Sequence, residues 1–354
     1  MTRGLPNPLI LGGRLPLILG LGGFAALAIG GFLAPQAILR GWLIAFSTIG
    51  GIVLGAIALL AIHGLTGGRW GDIARPALAS AALAVPLLLV MWLPLLLADS
   101  VIYPWVSNPG TTGAGVARGY LNTGFFALRG LAFLGGLSLF ALIAQRRPLG
   151  AVAAALCLVL YALGMNLSAF DWLLSLDPRF NSSAFGVQMI VTQLIGALAF
   201  VILVTDAPSG DKAWADFGAL LLATLLGLLY LVFMTFLIYW YGDLPDQASW
   251  YLARSRHGWL ALEIAGLLIG NILPAIALLF ARIRRTPAFL RLVAWAALGG
   301  VLVENIWLVA PATGGGTAAA GCAASLVAAG LTAGLVQRAN GPPRPALWSP
   351  ADGC

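Results

Sequence analysis

The chain has only two glutamates, Glu263 and Glu304, and both fall inside runs apolar enough to cross a bilayer. Arg129 falls inside a third such run. An ionisable side chain at membrane depth is costly and marks a candidate proton or substrate site. Counting along the helices at 1.5 Å per residue puts both glutamates roughly 8–10 Å beneath one surface, with Arg129 roughly 13 Å beneath the same surface. The Glu263 and Glu304 runs are consecutive and antiparallel, so the spacing predicts one buried cluster of Glu263, Glu304 and Arg129. Two carboxylates facing one arginine cannot be equally satisfied. One should be ionised while the other exchanges a proton, which suits proton transfer or contact with a quinone. A structural ion pair joining helices is the competing reading, and the sequence leaves both open.

A second concentration of polarity lies in Asp171-Trp-Leu-Leu-Ser-Leu-Asp-Pro-Arg-Phe-Asn-Ser-Ser-Ala-Phe-Gly186. Asp171 and Asp177 flank a turn between two apolar runs, and Pro178 stops helical continuation. Both aspartates are further proton-transfer candidates. Arg179 is placed to pair with them at the surface, and Asn181, Ser182 and Ser183 are expected to cap the following helix. Trp172 and Pro178 shape the loop itself. Farther on, Tyr239 to Trp259 reads as an aromatic belt at the membrane interface. Arg254, Arg256, His257 and Trp259 exceed what a belt requires and could face the acidic loop or a partner protein.

Protein-ligated redox centres find few ligands here. The two histidines, His63 and His257, fall at opposite ends of the helices, so they cannot clamp one haem. Cys157, Cys322 and Cys354 are far apart and lack cluster or haem-attachment spacing. Cys157 and Cys322 read as small packing residues. No metal site is expected, and there is no phosphate-binding P-loop or Gly-x-Ser-x-Gly nucleophile.

Long apolar helices must position these residues. The chain is 60% hydrophobic and 9% charged, with a mean hydropathy of +0.96, which excludes an ordinary soluble domain. Runs of about 20 apolar residues recur at roughly 15–35, 42–63, 77–97, 120–144, 150–170, 184–205, 217–241, 258–280, 288–310 and 315–337. An all-α polytopic membrane protein of about ten helices follows. Residues 1–14 form a cytoplasmic N-terminus, 15–337 the membrane domain, and the proline-rich 338–354 a disordered cytoplasmic tail. The first run reads as an uncleaved signal anchor. The net charge of +7 comes from loop arginines concentrated on alternate loops, which reads as membrane orientation rather than nucleic-acid binding. The positive-inside rule places both termini in the cytoplasm and the Asp171–Ser183 loop on the outer face.

With that topology, Asp171-Trp-Leu-Leu-Ser-Leu-Asp-Pro178 followed by Ser183-Ala-Phe-Gly-Val187 resembles the signature of the second ten-helix membrane subunit of alternative complex III, a bacterial quinol:cytochrome c or quinol:acceptor oxidoreductase. Tyr120-Leu-Asn-Thr-Gly-Phe-Phe-Ala-Leu-Arg129 resembles the opening of its fourth helix. Trp250-Tyr-Leu-Ala-Arg254 with Gly258-Trp259 resembles the segment leading into its eighth. The three occur in family order over about residues 80–310. The resemblance implies a helix bundle related to the NrfD-like quinol-oxidising subunits, located in the bacterial inner membrane. It implies a subunit without a metal or covalent cofactor, with quinone at or near it. The implied partners are an NrfD-like sister subunit, periplasmic iron–sulfur and c-type cytochrome subunits, and the lipid bilayer. By the same resemblance, Asp171, Trp172, Asp177 and Pro178 build a periplasmic loop that Arg129, Arg254 and Trp259 adjoin. Arg179 and Leu174 stand where the family has a histidine and a methionine, so no role of that histidine transfers. Two other readings stay open: an NrfD-like subunit that itself binds and oxidises quinol, and a stand-alone proton-coupled transporter. Transporters often show repeats and broken helices, and neither is evident in the sequence.

The topology predicts that Ser182→Cys, in intact cells, reacts with a membrane-impermeant thiol reagent added from outside while the parent chain does not. Labelling from the cytoplasmic side alone would reverse the orientation.

Overall fold

A computed structural model describes residues 29–108, 119–177, 180, 182–205, 207, 212–242, 245–312 and 315–339, together with Gly22, Gly23 and Ala25. The 15–35 run, Pro178, Arg179, Asn181 and the tail from residue 340 lie largely or wholly outside them. Every regular element among the described residues is a helix, and eight are long and apolar enough to cross a membrane. The molecule is an all-α, multi-pass membrane protein.

The eight spans are α1 (Pro35–Thr66), α2 (Arg69–Leu97), α5 (Thr123–Arg146), α6 (Ala151–Leu176), α7 (Phe185–Val204), α8 (Lys212–Gly242), α10 (Trp259–Leu279) and α12 (Pro287–Val309). Shorter helices join them: α3 (Asp99–Ile102), α4 (Pro104–Ser107), α9 (Pro245–Arg254) and α11 (Ala281–Arg285). The last helix, α13 (Gly315–Ala339), has an apolar part of only Gly315–Gly330. It packs extensively along α1.

Helix α1 is the centre of the bundle. It packs against α2, α6, α7, α12 and α13, and 83% of its most apolar stretch is buried. Lipid is as apolar as leucine, so helices associate through close backbone approach rather than apolar burial. Glycines supply that approach. A side chain at Gly41 would meet the Ala320–Gly321 backbone, and one at Gly55 would collide with the Gln193 carbonyl. The Trp42 indole N–H donates to the Met91 carbonyl at 2.7 Å, tying α1 to α2 with a bond that hydrocarbon offers no competitor for.

Several elements differ from the sequence expectation. Pro35 starts α1 seven residues early, because a proline pre-set for the first helical turn can open a helix. Arg40 therefore lies inside α1, where it is buried and donates to the Ile102 carbonyl at 3.1 Å. Helix α7 starts at Phe185, with Ala184 at its cap position and no side-chain cap. The expected capping by Ser182 or Ser183 does not occur. Residues 245–254 form a helix rather than a belt loop. Helix α10 is interrupted by a π-helical turn at Leu268–Ile272, followed by Pro274.

Because its added Cβ would strike backbone, Gly55→Ala should lower the thermal midpoint of the purified protein, at a cost of about 1–3 kcal/mol. Gly135→Ala, with nothing within 4 Å, should be neutral or stabilising by up to about 1 kcal/mol. The reverse ordering of the two midpoints would refute the packing account.

Candidate functional site

The functional candidates gather at one end of the bundle. Asp171 occupies the last turn of α6 with its side chain turned inward, 2% exposed. Arg129 reaches it from α5 in a two-pronged bond: Nε donates to Oδ2 at 2.6 Å and Nη2 to Oδ1 at 2.8 Å. The third arm, Nη1, donates to the Tyr120 carbonyl at 3.1 Å. The guanidinium lies 4.0 Å from the Tyr120 ring centre and 4.4 Å from that of Phe125. Paired geometry of this kind is the strongest available to a carboxylate, and the aromatic faces cover what remains of the cation.

This pair overturns the expected three-membered cluster, since Arg129 serves Asp171 and neither glutamate. The reason is helix order. Helix α5 packs against α6 and α2, whereas α10 packs against α12 and α12 against α7. Depth alone placed Arg129 with the glutamates, but the bundle puts them on different sides.

The Asp171 turn is held from several directions. The Ser175 hydroxyl donates to the Asp171 carbonyl at 2.6 Å, and the Trp105 indole donates to the Ser175 hydroxyl at 3.2 Å. Trp172 is buried, edge-on to Phe46 at 4.9 Å. The short helices α3 and α4 thereby lie over the turn.

A second assembly sits beside it on α9. Phe180 stacks on Trp250 at 4.1 Å between ring centres. Trp250 meets Trp307 edge-on at 5.0 Å. Arg254 is 5% exposed, lies 3.8 Å from the Trp250 ring centre, and donates to the Leu308 carbonyl at 3.0 Å. Burial lowers its pKa to about 10, with the charges of Asp177 and Tyr251 opposing that shift. Arg254 is thus a structural bolt between α9 and the end of α12, facing the acidic turn through Asp177. Arg256 and His257 are exposed. His257 takes a left-handed φ of 56° and Gly258 one of 84°, which turns the chain into α10 at half-buried Trp259.

Glu304 and Glu263 form the third assembly. Glu304 is 8% exposed, and it accepts from the Gln188 amide at 3.0 Å and the Thr192 hydroxyl at 3.2 Å. Gln188 and Thr192 stand four residues apart on one face of α7. Their placement beside Glu304 was missed in the sequence, although a Gln and Thr at helical spacing within an apolar run were the available signal. The Thr192 hydroxyl also lies 3.0 Å from the Gln188 carbonyl. It has one proton, so the chain closes in two ways. Thr192 donates to an ionised Glu304, or a protonated Glu304 donates to Thr192 while Thr192 donates to the carbonyl. Both forms use the same heavy-atom positions, which suits proton exchange without rearrangement. Glu263 faces Glu304 across a cavity of about 10 Å³, lined also by Asn271, Gly300, Leu228 and Val232. That volume accommodates about one water molecule.

At the opposite end, His63 Nε2 lies 3.2 Å from Asp72. Among the described residues no group of three or more His, Cys, Asp or Glu side chains is arranged to hold a metal ion. Comparison with known proteins adds no assignment: no family model matches the chain, and no curated protein does.

Removing either partner of the Arg129–Asp171 pair strands a buried charge. Arg129→Leu and Asp171→Leu should each cost about 3–5 kcal/mol, and the double variant should cost less than their sum. Thermal midpoints of all four proteins check this, and strictly additive losses would refute direct pairing.

Proposed function

We propose that the chain is a cofactor-free integral membrane subunit of a bacterial quinol-oxidising electron-transfer complex of the alternative complex III type. In this reading the Asp171 end faces the periplasm and both termini lie in the cytoplasm. The observation that carries it is convergence. The three segments that resemble the family, 120–129, 171–187 and 250–259, lie far apart in sequence yet meet at one end of the bundle. Arg129 joins the first to Asp171 of the second, and Phe180 stacks the second onto Trp250 of the third. A subunit docking beneath iron–sulfur and cytochrome partners would need such a stiffened end.

The role assigned to the chain is support of quinol oxidation and local proton handling by Glu304 and Glu263, rather than quinol oxidation itself. The cavity at the glutamates has room for about one water, far less than a quinone ring. With the redox metals on partner subunits, this chain's own residues hold and move protons. Arg129 and Asp171 hold one another and serve positioning.

A proton-coupled transporter is the second reading, favoured by the π turn in α10, because transporters place substrate sites at interrupted helices.

The native complex tests the first reading. Glu304→Gln keeps shape and both hydrogen-bond partners but cannot ionise. It should leave subunit assembly, haem and iron content unchanged while lowering quinol turnover, or protons moved per quinol, at least several-fold. Native purification that yields the chain alone, without haem or iron proteins, would overturn the reading. Unaltered turnover and proton stoichiometry in Glu304→Gln would remove the proton role.

A further inference from the structure

Between α8, α10 and α12, the two glutamates share their cavity with Asn271. Among the described residues no basic side chain pairs with either glutamate; Arg129 is committed to Asp171. Two carboxyl groups in a membrane without a basic partner must be neutralised, by protons or by a bound cation. Asn271 is 6% exposed, lines the cavity, and has no hydrogen-bond partner among the described residues. Its amide opens onto the cavity, where a ligand can reach it.

The backbone beneath it is also opened. The Leu273 N–H donates to the Leu268 carbonyl, five residues back. Pro274 has no N–H to give, so a carbonyl one turn earlier loses its helical donor. Turns of this kind concentrate at functional positions. Gly270 and Gly300 are in backbone contact at the same level, and a side chain on either would collide with the other. The cavity walls are therefore fixed by backbone.

We propose that this cavity is a monovalent-cation site that takes Na⁺ in competition with protons. The donors are oxygens of groups that line the cavity: the two carboxylates and the Asn271 side-chain oxygen. Membrane transporters place Na⁺ sites at interrupted helices, and Asn271 stands inside the π turn that interrupts α10. The cavity is the size of one water molecule, so it suits a bare small cation and leaves no room for the retained waters that Mg²⁺ demands. The groups that face it set its pH dependence. Gln188 and Thr192 on α7 hydrogen-bond Glu304, Leu228 and Val232 on α8 line the wall, and the neutral phenol of Tyr251 on α9 lies within electrostatic reach of Glu263. The glutamates are the groups whose protons a cation would displace. The inference does not depend on the chain's electron-transfer partners and holds for a subunit or a transporter alike.

The purified full-length chain in detergent provides the test, with NaCl, KCl or choline chloride at equal ionic strength. At pH 8.5, Na⁺ should raise the thermal midpoint by several degrees over choline in a saturable way. At pH 5.5 the gain should shrink by at least half. Adding NaCl to weakly buffered protein should release up to about one proton per chain. Glu263→Gln and Asn271→Ala should keep the choline midpoint and lose both responses. Should Asn271→Ala fail to fold, Glu263→Gln decides alone. Equal midpoints in Na⁺ and choline at pH 8.5 would overturn the proposal. So would an equal response to K⁺, or a full Na⁺ response in Glu263→Gln.

Discussion

A membrane interior gives a charge nowhere to hide, and the Arg129–Asp171 pair is how this bundle answers that constraint at its functional end. Once the guanidinium is spent on Asp171, the Tyr120 carbonyl and two aromatic faces, α5 and α6 are locked at one depth and in one rotation. The Asp171 turn, the short helices α3 and α4 that cover it, and the Trp172 contact with α1 through Phe46 all take their positions from that lock. Among the described residues no arginine pairs with the glutamates, and their surroundings are polar but uncharged groups. Gln188 and Thr192 supply to Glu304 by hydrogen bonding part of what a counter-charge would have supplied.

Helices were readable because the bilayer imposes length and apolarity on each span, and both are visible in a single sequence. Rotation and neighbour order were not. Arg129 was assigned to the wrong carboxylates, because nothing in one sequence says that α5 packs on α6 and α2 rather than on α10 or α12. Asp171 was read as a loop residue, yet it stands in the last turn of a helix that runs to Trp172, with its side chain facing inward. Asn271 drew no notice as a lone amide in an apolar run. Its meaning depends on the π turn that aims it, and that turn depends on Pro274 and on the Gly270–Gly300 contact across two helices. Helix α9 was read as an aromatic belt because its composition suits both. Its helical form lets Trp250 sandwich between Phe180 and Arg254.

The two arginines of this end illustrate how burial changes the duty of one residue type. Arg129 has a carboxylate and holds two membrane spans together. Arg254 has a backbone carbonyl and an indole face, and holds a surface helix onto the end of α12. Neither is free to act as a mobile cation for an incoming substrate. In the proposed reading, proton transfer at this end therefore falls to the carboxylates and the hydroxyl and amide groups that touch them.

The exposure of the Arg129–Asp171 pair, 9% and 2%, also divides the molecule's response to ionic strength. Arg282 and Arg285 on α11 are exposed, and at 0.15 M salt their fields fade over about 8 Å. Counterions cannot reach the sealed pair, so its attraction is nearly indifferent to the medium. A concentrated salt wash would thus strip whatever is held by the arginine-rich rim and leave the internal brace of the bundle untouched.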